Sequence, residues 1–163
     1  MDNGEFPLAY HITWGTYGTR LHGDRRGTVR REASQFDSPI IGRIDKFRNR
    51  EIELLRFAPR LLDRQRRSFV ESAIPEVCRR GKWKLIDCAA APDHIHCLLR
   101  AQADGQEVRK WLKRWIGQAL SSRWPLQPGQ TWWAEGGSVK WIFDERYLES
   151  AKQYVSRQRT LKT

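Results

Sequence analysis

The sequence predicts an α+β domain: a four-stranded antiparallel sheet with two helices on one face and a further helix at the C-terminus. Three observations predict it. Four short runs rich in β-branched and aromatic residues read as strands. Two longer segments with apolar residues every three or four positions read as helices, one after the first run and one after the third. The second and third runs are separated by little more than Ala91-Pro92, which suits a hairpin.

The first strand is Tyr10-His11-Ile12-Thr13-Trp14-Gly15-Thr16-Tyr17, which alternates with period two. Residues 20–60 are irregular, broken by Gly23, Gly27, Pro39 and Gly42 and rich in arginine, with room for a short helix near 44–57. They are too short for a core of their own, so they read as an insertion or loop within one domain spanning 1–163. Residues 61–80 form a helix with an apolar stripe of Leu62, Phe69, Val70, Ala73, Ile74, Val77 and Cys78, which Pro75 should kink or end early. Trp83 to Ala90 and Asp93 to Ala101 are the hairpin strands. In the next helix Val108, Trp111, Leu112, Trp115, Ile116, Ala119 and Leu120 line one face, and Pro125 stops it. A Gly/Pro/Trp loop from Pro128 to Gly137 leads into a fourth strand, Ser138 to Phe143. Residues 145–160 are helical, with Tyr147, Leu148, Ala151 and Val155 facing inward. The order is therefore β-α-β-β-α-β, the ferredoxin-like arrangement, with a C-terminal helix added.

A chain of 163 residues can bury a real core without disulfides or structural metals. No run of about 18 apolar residues is present, which excludes a membrane-spanning helix as a reading. Met1-Asp2-Asn3-Gly4-Glu5 is acidic and has no apolar signal-peptide core. Cys78, Cys88 and Cys97 are odd in number and unpaired in spacing, which fits small buried side chains in a reducing, cytoplasmic setting. Thirty Lys and Arg against 19 Asp and Glu leave a net charge of +11, and eight residues are Trp. Such an excess points to a polyanionic partner, and indoles beside arginines are what single-stranded nucleic acid stacks on. A basic solvated surface over a Trp-rich core has the same composition.

Asp93-His94-Ile95-His96 is the motif with the most chemistry. On a strand, His94 and His96 project to the same face and present two imidazoles side by side, half of a metal site. Two ordinary histidines give the same pattern. Zinc is disfavoured, because Cys97 points away from both imidazoles and no C-x-x-C is present. On the C-terminal helix, Tyr154 and Gln158 stand one turn apart on one face. A phenol is a competent nucleophile toward a phosphate polarised by a divalent cation, and a Gln carbonyl is a possible third ligand. A core tyrosine and a surface amide would read the same.

Together, His-hydrophobe-His on a strand and Tyr-x-x-x-Gln on a C-terminal helix resemble the HUH single-strand endonucleases. The closer resemblance is to their one-tyrosine insertion-sequence transposases, including the REP-associated tyrosine transposases. It extends over the first strand, the helix at 61–80, the hairpin Pro92-Asp93-His94-Ile95-His96-Cys97-Leu98-Leu99, the Trp-rich helix and Tyr154-Val155-Ser156-Arg157-Gln158. The resemblance implies that His94, His96 and Gln158 bind a divalent metal, Mg²⁺ or Mn²⁺, and that Tyr154 attacks a DNA phosphate. It also implies a 5′-phosphotyrosine intermediate, a single-stranded or hairpin DNA substrate and a homodimer. Tyr147 is the rival nucleophile, but Ala151 stands four residues beyond it and cannot ligate.

Candidates for phosphate contacts are Arg25, Arg26, Arg30, Arg31, Arg64, Arg66, Arg67, Arg109, Lys110, Lys113 and Arg114, and Trp132 and Trp133 are candidates for base stacking. Two other functions stay open. One is a hairpin-DNA-binding module that does not cut. The other is a metal-free RNA phosphoesterase, because His11-Ile12-Thr13 and His94-Ile95-His96 resemble paired H-x-S/T motifs, although the second has His96 where a hydroxyl is needed.

Overall fold

The fold was established from a computed structural model, which describes residues 6–19 and 56–160. The elements run β1 (Ala9–Gly15), α1 (Arg64–Gly81), β2 (Lys84–Ala90), β3 (His94–Arg100), α2 (Gly105–Arg123), β4 (Ser138–Ile142) and α3 (Glu145–Thr160). The strands form one antiparallel sheet in the order β2-β3-β1-β4. This is the predicted β-α-β-β-α-β sheet with its added helix. Arg25, Arg26, Arg30, Arg31 and the short helix near 44–57 fall largely or wholly outside the described residues.

Strand alternation divides the sheet into two faces. Tyr10, Ile12 and Trp14 of β1 and Ile95, Cys97 and Leu99 of β3 join Val70, Ile74 and Val77 of α1 and Val108, Leu112, Ile116 and Leu120 of α2 in the main core. The residues between them, His11 and Thr13 on β1 and His94, His96 and Leu98 on β3, therefore face the other way. On that side α3 seats Leu148, Ala151 and Val155 on Ala9, Ala89, Leu98 and Ile142.

Helix α1 begins at Arg64 rather than 61, because the Asp63 carboxylate caps it by accepting from the Arg66 amide at 2.8 Å. Leu62 is buried just ahead of the cap, its amide donating to the Pro92 carbonyl. Pro75 does not end the helix, which runs on to Gly81 and closes on Lys82 in the left-handed region. The Glu71 carbonyl that Pro75 cannot reach with an amide receives instead the Cys88 thiol, at 4.0 Å.

In α2 the apolar stripe is narrower than the sequence suggests. Val108, Leu112, Ile116 and Leu120 are buried, whereas Trp111 and Trp115 are only half-buried, and of the two Trp115 packs against the core. In α3, Tyr147 is 44% exposed and does not face inward, unlike Leu148, Ala151 and Val155. All three cysteines are free and buried, and burial pushes the Cys78 and Cys88 thiols up to about 12.

Candidate active site

The side chains that β1, β3 and β4 turn away from α1 and α2 meet the inner flank of α3 around one cavity of about 690 Å³. His94, His96, Tyr154 and Gln158 all line it, and so do His11, Thr13, Lys140, Tyr147 and Arg157. The two strands set the imidazoles and the helix sets the phenol and the amide.

Each imidazole of β3 is held from behind. His94 Nδ1 lies 2.6 Å from Asp93 Oδ1, a carboxylate that is itself buried. A bond from Nδ1–H to a carboxylate fixes the tautomer whose Nε2 carries the lone pair. Asp93 is anchored in turn, since its carbonyl accepts from the Thr16 amide at 2.9 Å. His96 sits opposite Thr13 in the β1–β3 register and diagonal to His11. Its Nδ1 lies 3.0 Å from His11 Nε2 and 3.3 Å from Thr13 Oγ1. Burial, with Lys140 adding to it, pushes the His11 imidazole down to about 4, so it is neutral at physiological pH.

The Tyr154 ring meets both β-strand imidazoles edge-on, with centroids 5.5 Å from His96 and 6.0 Å from His11. It lines the cavity and remains 42% exposed. Tyr147 shares the cavity, but the ring contacts to imidazole belong to Tyr154. The helix is fixed at its far end by Arg159, whose guanidinium pairs with Asp87 on β2.

The donors present suit a hard or borderline divalent cation. The rings of His94 and His96 have centroids 4.7 Å apart at 79°, and Gln158 lines the same cavity. Among the described residues no cluster of three His, Cys, Asp or Glu has metal-site geometry, so a third protein donor to an ion between His94 and His96 would be a neutral oxygen of the cavity wall, of which the Gln158 amide is one. The carboxylate behind His94 is the outer partner that ligating histidines usually have. A divalent ion therefore fits this donor set.

The matched span of sequence decides the family. Residues 58–158 match the model of the IS200-like transposases. The chain belongs to that family. The match takes in β3 and runs through Tyr154 to Gln158, but β1 and His11 lie ahead of it. Among solved structures, the chain is similar to a crystallised candidate transposase from Deinococcus radiodurans R1. The two share 17% identity over 98% of this chain and 96% of the other, with a TM-score of 0.51. At that identity the likeness shows a common fold. No curated protein matches the sequence. The family acts on DNA, and no helix among the described residues is long and apolar enough to cross a membrane.

The predicted nucleic-acid residues separate into two groups. Trp132 and Trp133 are 3% and 8% exposed, and their indole N–H groups donate to Ser121 Oγ and the Lys113 carbonyl. They pack under their loop and present no face to an incoming base, which corrects the stacking expectation. Lys113 donates to the Ala134 and Gly136 carbonyls, and Arg109 to the Gly137 carbonyl, so both hold that loop to α2. Gly137 is required there: its φ is +133°, and a Cβ would lie 2.5 Å from the Thr13 carbonyl oxygen. Arg67 donates to the Leu62 carbonyl beside the start of α1.

The remaining cations lie on the outside of α1 and α2, over aromatic rings. Arg114 and Lys110 sit over Trp111, and Arg66 lies over Trp124. Two arginines that the sequence reading passed over join them, Arg80 over Trp115 at 4.2 Å and Arg123 over Trp124 at 4.8 Å. Arg64 and Arg123 also flank a shallow groove with Ser68 and Ser72. Among the described residues, Arg66 alone of these cations has a carboxylate partner, Asp63. His11 and Asp93 were also missed as parts of the site. The signal for His11 was its alternation with Thr13 on a strand that had to pair beside the histidine strand.

Proposed function

We propose that the chain is a divalent-metal-dependent endonuclease and strand transferase of single-stranded DNA, acting at hairpin or repeat sequences. The observation that carries this reading is the convergence of His94, His96, Tyr154 and Gln158 on one cavity from a strand and a helix.

Tyr154 is the nucleophile in this mechanism. Its phenol loses a proton to solvent, and the oxygen attacks the scissile phosphorus. The new O–P bond forms as the bond from phosphorus to the 3′ oxygen breaks, and that oxygen takes up a proton to leave as a 3′-hydroxyl. The DNA 5′ end remains on Tyr154 as a phosphotyrosine. Attack by a 3′-hydroxyl on that linkage reforms a phosphodiester and returns the phenol. A Mg²⁺ or Mn²⁺ ion held by His94, His96 and Gln158 would supply Lewis acidity at the phosphate, since none of these ligands is itself anionic. Lys140 and Arg157, on the cavity wall, favour entry of the anionic strand. The remainder of the DNA runs across the outer face of α1 and α2, where Arg80, Lys110, Arg114 and Arg123 await phosphates. A homodimer, as in the family, is part of the same proposal.

The test is cleavage of a labelled hairpin oligonucleotide with a single-stranded flank. Mg²⁺ or Mn²⁺ should support cutting, and excess EDTA should abolish it. His94→Ala and His96→Ala should lose cutting and keep DNA affinity within about threefold, because affinity comes mainly from spread phosphate contacts. Undiminished cutting in EDTA would overturn the metal reading in favour of a metal-free phosphoesterase. Tight binding without any adduct would mark a binding module.

A further inference from the structure

We infer that His11 is a positioning residue for His96, accepting the His96 Nδ1–H and so turning Nε2 of that ring toward the metal position. The inference rests on the proposed metal role of His96.

The geometry carries it. His11 Nε2 lies 3.0 Å from His96 Nδ1, the two rings are tilted by 30° at a centroid distance of 5.2 Å, and both residues are buried. The contact spans the β1–β3 pair on the diagonal and is reinforced by Thr13 Oγ1 at 3.3 Å from the same nitrogen. A hydrogen bond between two imidazoles has one direction at a time. If His11 donated, His96 would carry its proton on Nε2 and that nitrogen could not ligate. If His96 donates, its Nε2 holds the lone pair, and His11 must be a neutral acceptor.

The two ligand candidates are thus held by different chemistry. A carboxylate stands behind His94, while a neutral imidazole and a hydroxyl stand behind His96. A carboxylate partner makes its histidine a stronger donor and offsets part of the ion's charge. A neutral partner fixes orientation without adding charge, so the pair holds the ion while leaving more of its charge for a phosphate. His11 is not itself a ligand in this arrangement, because its Nε2 is taken up by the His96 Nδ1–H. It lies ahead of the residues that match the family.

The experiment uses the full chain and two readouts. Long-range ¹H–¹⁵N spectra of the metal-free wild type report which nitrogen of His96 is protonated, with His96→Ala identifying the resonance. A protonated Nδ1 is expected, and a protonated Nε2 would overturn the inference without any variant having to fold. Mn²⁺ binding is then followed by the electron paramagnetic resonance of the free ion. His11→Leu, which removes the acceptor, should weaken Mn²⁺ binding about 10- to 100-fold. His11→Gln, whose amide oxygen can reach the place of Nε2, should restore it to within severalfold of wild type. DNA affinity in EDTA should be the same in all three proteins.

Wild-type Mn²⁺ affinity in His11→Leu, with affinity lost in His94→Ala and His96→Ala, would overturn the inference and leave the proposed function standing. Mn²⁺ binding by wild type that is unaffected by His94→Ala and His96→Ala would overturn both. Loss in His11→Leu and His11→Gln alike, with both folded by circular dichroism, would overturn the acceptor role.

Discussion

The two faces of the sheet are built to different specifications. Among the described residues, twenty buried side chains form one continuous core toward α1 and α2, with Trp14, Tyr10, Trp132 and Trp133 among them. Toward α3 only seven do, three of them alanines. A face covered by two long helices is filled mainly by apolar side chains. A face covered by one helix, seated mainly over β2 and β3, leaves the flank beside it open. His11, Thr13, His94 and His96 stand in that opening. The division teaches that the site is what the smaller core leaves uncovered, and that α3 carries Tyr154 and Gln158 on few apolar contacts. The side covered by α1 and α2 shows the complementary economy: its charges lie on the outside of the helices, over indoles of which Trp115 and Trp124 pack against the core.

The comparison is broken most severely at Tyr154. Tyr154→Phe keeps the ring and its edge contacts with His96 and His11, so α3 should still seat. Cleavage and covalent adduct should vanish together, with melting temperature and DNA affinity close to wild type. Tyr147→Phe removes a hydroxyl from the same cavity wall and should leave the adduct intact. Denaturing electrophoresis of protein incubated with labelled oligonucleotide and Mg²⁺ reads both. An adduct that survives in Tyr154→Phe and disappears in Tyr147→Phe would transfer the role to the other tyrosine.

How much of this was legible from sequence follows the same division. Strand alternation identified both β3 histidines as neighbours and excluded Cys97, and helical spacing put Tyr154 above Gln158. Those are local periodicities, and the structure keeps them. What sequence could not supply was pairing across elements. His11 is 85 positions from His96, and only the β1–β3 register makes them touch. The indoles failed for a related reason. Trp132 and Trp133 sit in a Gly-flanked loop that reads as exposed, yet Lys113 and Arg109 tie that loop down on α2 and bury both rings. Conversely, Trp111 and Trp115 fitted the apolar stripe and turned out to be the platform for cations. Pro75 allows a kink or an early end, and the helix continues through it to Gly81 with a thiol at the orphaned carbonyl.

Next in size is the contrast between buried and cation-bearing indoles. Trp133→Ala should cost about 3–5 kcal/mol of stability through a cavity against Trp14 and the lost bond to the Lys113 carbonyl. It should be read by urea unfolding, with no specific loss of DNA affinity in the fraction that remains folded. Arg80→Ala with Arg114→Ala should do the reverse. Both guanidiniums are exposed, so unfolding should change little, whereas DNA affinity should fall and the salt dependence should flatten by about one unit of slope per cation removed. Unchanged affinity and slope in the double variant would remove the outer helical face from the DNA path.

The smallest expected effect lies wholly on the helix-covered side. Burial holds the Cys78 and Cys88 thiols near 12 in the folded chain, against about 9 when unfolded, and Cys97 is pushed up as well. A group whose folded pKa is raised contributes stability that is complete below the unfolded value and is lost as pH rises toward the folded one. The unfolded chain releases these protons first, so stability must fall with pH in the window from about 9 to 12. By pH 10 each such thiol should account for about 1 kcal/mol of that loss. Urea unfolding of the reduced protein at pH 7.5 and pH 10 gives the total, and Cys78→Ala isolates one share. The variant should be less stable than wild type at pH 7.5, because a buried sulfur is missing, but its loss on going to pH 10 should be smaller by that amount. The site face contributes no thiol to this window, so the metal affinity of the folded protein should not follow it. Equal losses in wild type and Cys78→Ala would mean that the sulfur ionises as readily inside the core as in the unfolded chain, and that the core around α1 and β2 is open to water.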